Sequence, residues 1–183
     1  MTAALWHRLP ANFEEQLEVL APRVAELHFD DGYVDVVRAA EALEARGRRG
    51  VFFVVPGWLN RSGVTTARRI AELVRRGHEI GNHTWSHPDL RRLSLPAQRL
   101  ELVRARDRLA EITGSVPRRL AWPFGLHDGR SDAIAAELGY ESPRGITSAE
   151  IFAPRLKTAA QLKRIPRRVF AGEADVDDED LDE

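Results

Sequence analysis

The sequence predicts an α/β fold, parallel strands covered by outer helices, and three observations carry that expectation. Short runs rich in β-branched and aromatic residues alternate along the chain with amphipathic stretches of helical period. Most of these apolar runs stop at a glycine, a proline or a polar cluster, and the residues with chemical potential gather at those stops. A chain of 183 residues, 43% of them hydrophobic, is long enough for one domain with a sizeable core. Strand, helix, strand, helix in this order implies parallel strands joined by right-handed crossovers.

The elements follow in order. Residues 1–22 read as a lead-in segment. Val24 to Phe29 is a short strand, followed by a helix with Val36, Ala40 and Leu43 on one face and Gly47 after its end. Val51 to Val55 reads as a buried strand stopped by Pro56-Gly57. Thr66 can cap the next helix, with Ala67, Ile70, Ala71 and Val74 as its buried stripe and Gly77 as its stop. His78 to Asn82 is a third strand. Ser94 and Pro96 open a longer helix whose core side holds Leu102, Ala105, Leu109 and Ile112, with Gly114 beyond it. Leu120-Ala121-Trp122 reads as a fourth strand, Ser131 to Leu138 as a helix, and Gly145 to Ile151 and Arg164 to Phe170 as further strands.

Composition removes several classes of function. With no cysteine there is no disulfide framework and no thiolate metal site, so a metal would need His, Asp or Glu. No apolar run approaches the ~20 residues of a membrane span. The first residues lack the charged start and apolar core of a signal peptide, which makes the cytoplasm the expected location. The net charge of −1 hides an asymmetry, because residues 173–183 carry eight of the 28 acids and no base. That segment is expected to be a disordered acidic tail to a single domain over residues 1–172. The arginines of the body fall on polar helix faces without a basic, aromatic-interleaved stripe, so a nucleic-acid partner is not expected. Nothing in the sequence speaks to oligomeric state.

Two motifs carry chemistry. His83-Thr84-Trp85-Ser86-His87 places two imidazoles four apart, on one face if the segment is a helical turn, so both can reach one ion. Phe29-Asp30-Asp31-Gly32 closes the first strand with two adjacent carboxylates, which can divide the labour of metal ligand and base. Two nitrogens, one oxygen and an open position are the make-up of a hydrolytic metal site. A lone H-x3-H is more often a surface pair, and Asp-Asp-Gly is more often a plain turn. Both at strand ends in one chain is a stronger signal, because α/β folds build their sites there.

Leu27-His28-Phe29-Asp30-Asp31-Gly32-Tyr33 resembles the first motif of the polysaccharide deacetylase (NodB-homology) family, carbohydrate esterase family four. Gly77 to Pro88, GHEIGNHTWSHP, is similar to its second motif, and Leu120-Ala121-Trp122-Pro123-Phe124-Gly125 to a version of its third. The resemblance runs from about Glu26 to Tyr140 and implies a NodB-like catalytic domain folded as a distorted, incomplete (β/α) barrel. It implies Asp31, His83 and His87 as metal ligands and Asp30 as general base, with one divalent ion, zinc first and cobalt, nickel or manganese as alternatives. The implied reaction is removal of N-acetyl groups from an amino sugar, oligosaccharide or polysaccharide. The Pro123-Phe124-Gly125 turn would offer a backbone N–H to the oxyanion.

The chain also departs from the family pattern. His28 stands where the family has Thr or Ser, and strand alternation makes it either a neighbour of the site or a core residue. Ala121 stands where many members carry an arginine that orients the base. The late Leu-x-x-His motif that supplies the general acid is missing, and His127 is the only later histidine to weigh against an exposed-loop reading. Thr84, Trp122 and Arg167 complete the residues expected around the ligands. Hydrolysis of another C–N bond, as in allantoinase-like members, is the alternative activity. A non-haem iron enzyme and a catalytically weak carbohydrate-binding module stand behind it.

Overall fold

A computed structural model describes residues 3–141, 143, 144, 150–153, 158 and 161. Five strands form one sheet: β1 (Ala3–Trp6), β2 (Glu26–Phe29), β3 (Val51–Val54), β4 (Glu79–Asn82) and β5 (Glu150–Phe152). Their order is β4-β3-β2-β1-β5, and every pairing is parallel. The expected parallel α/β architecture is therefore present. Among the described residues the sheet continues beyond β4 only as single parallel bridges, Asn82 with Leu120 and Ala121 with Arg144. It curls without closing, which makes it a distorted, incomplete (β/α) barrel. The fourth strand expected at Leu120 to Trp122 is thus reduced to two one-residue bridges.

Helices α1 (Phe13–Leu20), α2 (Val36–Glu44), α3 (Ala67–Arg75), α4 (Leu95–Thr113) and α5 (Gly129–Glu137) alternate with the strands. Thr66 caps α3 as expected, its hydroxyl accepting from the Arg69 N–H. Ile70 and Leu73 form the buried face of α3, in place of the expected stripe with Ala67 and Ala71. Gly114 takes the left-handed cap after α4. Helix α5 begins two residues before Ser131, because Asp128 and Ser131 form a reciprocal capping box. The lead-in segment is also more than a lead-in. Ala3–Trp6 is a fully buried strand seated between β2 and β5.

Strand alternation separates two cores. Ala4 and Trp6, Leu27 and Phe29, Phe52 and Val54 face the helices, in one cluster with Phe13, Leu17, Leu43, Ile70 and Leu73. Trp6 stacks on Phe29 at 5.3 Å and Phe29 on Phe52 at 4.8 Å, an aromatic row across three adjacent strands. The buried Trp6 indole donates to Gln16, whose amide in turn donates to the Ala153 carbonyl. The inner side holds Val51, Phe53 and Ala121, together with Glu26, His28 and Asp30. That narrow, partly polar interior leads up to the strand ends. The further strand expected at residues 164–170, Arg167 and the acidic tail lie outside the described residues.

Candidate metal centre

Asp30 and Asp31 follow directly on β2. The Gly32 N–H returns to the Asp30 carbonyl at 2.9 Å, which closes a γ-turn with Asp31 at φ 71°. This tight reversal brings both carboxylates to the same end of the barrel, where each is buried. Residues 83–87 are not the helical turn expected from the histidine spacing. They form a loop with Thr84 at φ 64° and His87 at φ 61°. Side chains hold that loop. The Asn82 amide oxygen accepts from the Thr84 N–H at 2.7 Å, and the Thr84 hydroxyl accepts from the His87 N–H at 3.1 Å. The Asn82 amide group is itself fixed by the Leu102 carbonyl and the Tyr140 hydroxyl. Gly57 lets the turn after β3 press on the same loop, since a Cβ there would lie 2.3 Å from the Trp85 carbonyl oxygen.

The loop and the γ-turn bring three side chains together. One ligand atom from each of Asp31, His83 and His87 lies within 4.8 Å of the other two. Asp31 Oδ1 is 3.5 Å from His83 Nε2 and 3.4 Å from His87 Nε2, too far for good hydrogen bonds. Ligands on a tetrahedral ion with bonds of ~2.0–2.2 Å are separated by about 3.4 Å. Asp31 Oδ1 is buried with no hydrogen-bond partner, an orphaned acceptor between two imidazole nitrogens. His83 Nδ1 lies 2.8 Å from the Ala121 carbonyl, which can only accept, so Nδ1 carries the proton and Nε2 presents its lone pair. Burial, helped by the His83 ring, lowers the His87 imidazole to about 4, so it is neutral at physiological pH. Burial opposes ionisation of Asp31, yet His83, His87 and His7 outweigh it and hold the carboxyl below its ordinary value. An N2O donor set with these protonation states fits a borderline divalent ion of the zinc type.

Asp30 sits beside this cluster, its Oδ2 3.8 Å from His83 Nε2. Arg144, from the bridge next to Ala121, donates to both Asp30 oxygens and lies over the Phe53 ring. The sequence reading missed Arg144. The vacancy at Ala121 was the available signal, because parallel pairing can deliver an arginine from the adjacent segment. His7 was missed too. Trp6 pairs with Phe29, so His7 stands beside Asp30, and alternation from the outward Trp6 turns it toward the interior. It is half-buried and close enough to act on the charges of both Asp31 and His87.

The other expected residues divide. Phe124 is 60% exposed, at φ 57°, with its ring 4.6 Å from that of His87. Trp58, not foreseen, flanks His87 from the turn after β3 at 5.3 Å. In the Pro123 to Gly125 turn the Gly125 N–H is given to the Trp122 carbonyl and the Leu126 N–H to that of Pro123. Trp122 is a core residue, packed with Leu90, Leu102, Leu120 and Ile134. His127 stacks on Trp122 and reaches Asp132 at 2.8 Å, on an exposed side at the start of α5. His28 belongs to a buried polar network below the site, its Nε2 2.9 Å from Glu26, which Arg119 grips with two nitrogens. Arg119 first and His28 second hold the Glu26 carboxyl well below the usual carboxylate range.

Fold and strand-end site together define a NodB-type barrel. The polysaccharide deacetylase family model matches residues 19–143, and the chain belongs to that family. It is 27% identical over 121 residues to a chitin deacetylase of Pestalotiopsis sp, covering 65% of this chain and 40% of that protein. It is 29% identical over 118 residues to a peptidoglycan-N-acetylmuramic acid deacetylase of Bacillus subtilis, covering 63% and 24%. A Streptococcus pyogenes deacetylase solved in complex with acetate superposes with a TM-score of 0.67 at 20% identity, over 76% of this chain and 80% of that one. The chain thus spans less than half the length of these two curated relatives. Among the described residues no helix is long and apolar enough to cross a membrane.

Proposed function

We propose that this chain is a metal-dependent deacetylase of N-acetylated carbohydrate, with Asp31, His83 and His87 as ligands and Asp30 as general base. One observation carries the reading: two adjacent buried carboxylates, one with an unpartnered oxygen between two imidazoles, the other gripped by an arginine. Asp31, His83 and His87 would hold a divalent ion, which would supply Lewis acidity toward a water and a carbonyl oxygen. Asp30 takes the proton from the attacking water. The Phe124 N–H is the donor of its turn left for the oxyanion, those of Gly125 and Leu126 being engaged and proline having none. His7 hands a proton to the departing amine nitrogen, the role for which the sequence offered only His127. Exposed Phe124 and half-buried Trp58 flank His87 as apolar surfaces on which a sugar ring can lie.

The proposed role of His7 supplies the acid whose absence from the late motif favoured the non-catalytic binding-module reading. The test is acetate release by zinc-reconstituted and chelator-stripped protein from N-acetylated chitooligosaccharides, with small cyclic amides in parallel. Zinc-dependent acetate release is expected. Turnover confined to the cyclic amides, or equal rates with and without metal, would overturn the proposal.

A further inference from the structure

One corner of the barrel mouth carries cations that no acid neutralises. Arg8 lies just beyond the end of β1, exposed, with its guanidinium carbon 3.7 Å from the centre of the Tyr33 ring. Among the described residues no carboxylate pairs with it. Tyr33 follows Asp31 and Gly32, and it links the arginine to the metal centre. Burial first and Asp31 next hold its phenol above the ordinary value, with Arg8 pulling the other way. The backbone around Arg8 is tied down. The Leu9 N–H is given to Asp35 Oδ2 at 2.9 Å, which joins the segment after β1 to the loop after β2. Tyr33 bridges Val64, and the Val34 N–H meets the Gly63 carbonyl at 3.0 Å, so the loops after β2 and β3 are joined as well. Gly63, at φ 77°, leaves an Arg8 nitrogen 3.7 Å from where a Cβ would stand. Arg61, on the same loop, is exposed and also without an acid partner among the described residues.

We propose that Arg8 is a specificity-determining residue and that the substrate is an acidic N-acetylated oligosaccharide, with a carboxylate on the reacting sugar or its neighbour. The Tyr33 ring covers one face of the guanidinium and leaves the N–H edge for a planar carboxylate held by two hydrogen bonds. Arg61 adds charge of the same sign to the approach. Trp58, one of the surfaces proposed for a sugar ring, lies on the same loop as Arg61 and Gly63, so a sugar chain resting there passes this corner. The inference rests on the deacetylase reading of the preceding section and narrows its substrate class.

The test pairs each acidic oligosaccharide with its own neutral methylamide, leaving sugar, length and acetyl group unchanged. One pair carries the carboxylate as a lactyl ether on the reacting sugar, the other as a hexuronic acid beside it. Binding to the zinc-loaded protein is measured by calorimetry in the Asp30→Asn background, and kcat and KM are measured without that substitution. In at least one pair the acid should bind about three- to tenfold more tightly than its amide, as an exposed arginine–carboxylate contact allows. Raising salt from about 0.05 to about 0.5 M should shrink that ratio. Arg8→Gln should bring it to about one and Arg8→Lys should keep part of it, since lysine retains the charge and loses the planar fork. In turnover the change should fall on KM. Equal binding of acid and amide in both pairs, or a preference that survives Arg8→Gln, would overturn the inference and leave the deacetylase reading standing. A binding preference without acetate release from any of the four compounds would overturn the deacetylase reading alone.

Discussion

Gly81, in the second motif and in the middle of β4, is a packing requirement rather than a turn. A Cβ at this position would lie 2.4 and 2.6 Å from two carbons of the Phe53 ring, where ordinary contacts begin near 3.4 Å. The ring would have to retreat by about 1 Å, and it has no free space to retreat into. Phe53 is fully buried, His28 meets it edge-on at 5.4 Å, and the Arg144 guanidinium covers it. Overpacking of this kind costs ~1–3 kcal/mol. The lower backbone entropy of alanine in the unfolded chain recovers ~0.4–1 kcal/mol. Gly81→Ala should therefore lose about 1–2 kcal/mol, which at ~2–4 °C per kcal/mol is a fall of roughly 2–8 °C in melting temperature. Gly129→Ala, whose Cβ meets nothing within 4 Å, is the control and should change little. Thermal melts of Gly81→Ala, Phe53→Val and the pair complete a double-mutant cycle. Because the smaller side chain gives the new methyl room, the pair should be clearly more stable than the sum of the single losses. Strict additivity, or a Gly81→Ala protein that melts with wild type, would refute the steric argument.

Three further outcomes are expected. Asp30→Asn should retain zinc binding, measured by calorimetry, while kcat falls ~10²–10⁴-fold; a fully active variant would end its role as base. His7→Ala should cost orders of magnitude in kcat and His127→Ala almost nothing, and the reverse result would return the acid to His127. The metal-free protein should lose stability as pH falls from 6.5 toward about 4, because the unfolded chain protonates His87 across that window while burial keeps the folded imidazole neutral. His87→Ala should flatten that part of the stability–pH profile, and an unchanged slope would show that other groups cause it.

The parts legible in the sequence were those with a local physical signal. Thr66, Gly114 and the apolar runs at Val51 and Ile80 each act within a few residues of themselves, and their elements lie where periodicity and capping set them. The clustering of Asp31, His83 and His87 was legible for the same reason, from two short motifs at strand ends. Ala3–Trp6 was not, because two of its four residues are alanines of low β-propensity. It becomes a strand through ladders on both sides, to β2 and β5, and no window of sequence contains those partners. Arg144 was hidden likewise: it belongs to no motif, and only the bridge to Ala121 brings it to Asp30. The histidine loop misled through its spacing. Four residues fit a helical turn, but Asn82 and Thr84 satisfy the backbone amides from their side chains, so the turn does not form.

Backbone strain gathers at the same place as the chemistry. Among the described residues, five non-glycine positions have positive φ: Asp31, Asn60, Thr84, His87 and Phe124. Four of these are at the site, and such conformations cost ~1–3 kcal/mol each. They persist only where neighbours over-determine them. Asp31 is held by the Gly32-to-Asp30 hydrogen bond, Thr84 by Asn82, His87 by the Thr84 hydroxyl, and Phe124 by the bond from Gly125 to the Trp122 carbonyl. None of these constraints requires an ion. The side chains of Asp31, His83 and His87 are therefore brought together by the protein's own hydrogen bonds. The same argument explains why the outward Trp6 and Phe29 matter to an inward site. Their stacking fixes the register of β1 against β2, and that register sets His7 beside Asp30. A one-residue slip would turn His7 to the opposite face and leave the interior without its proposed proton donor.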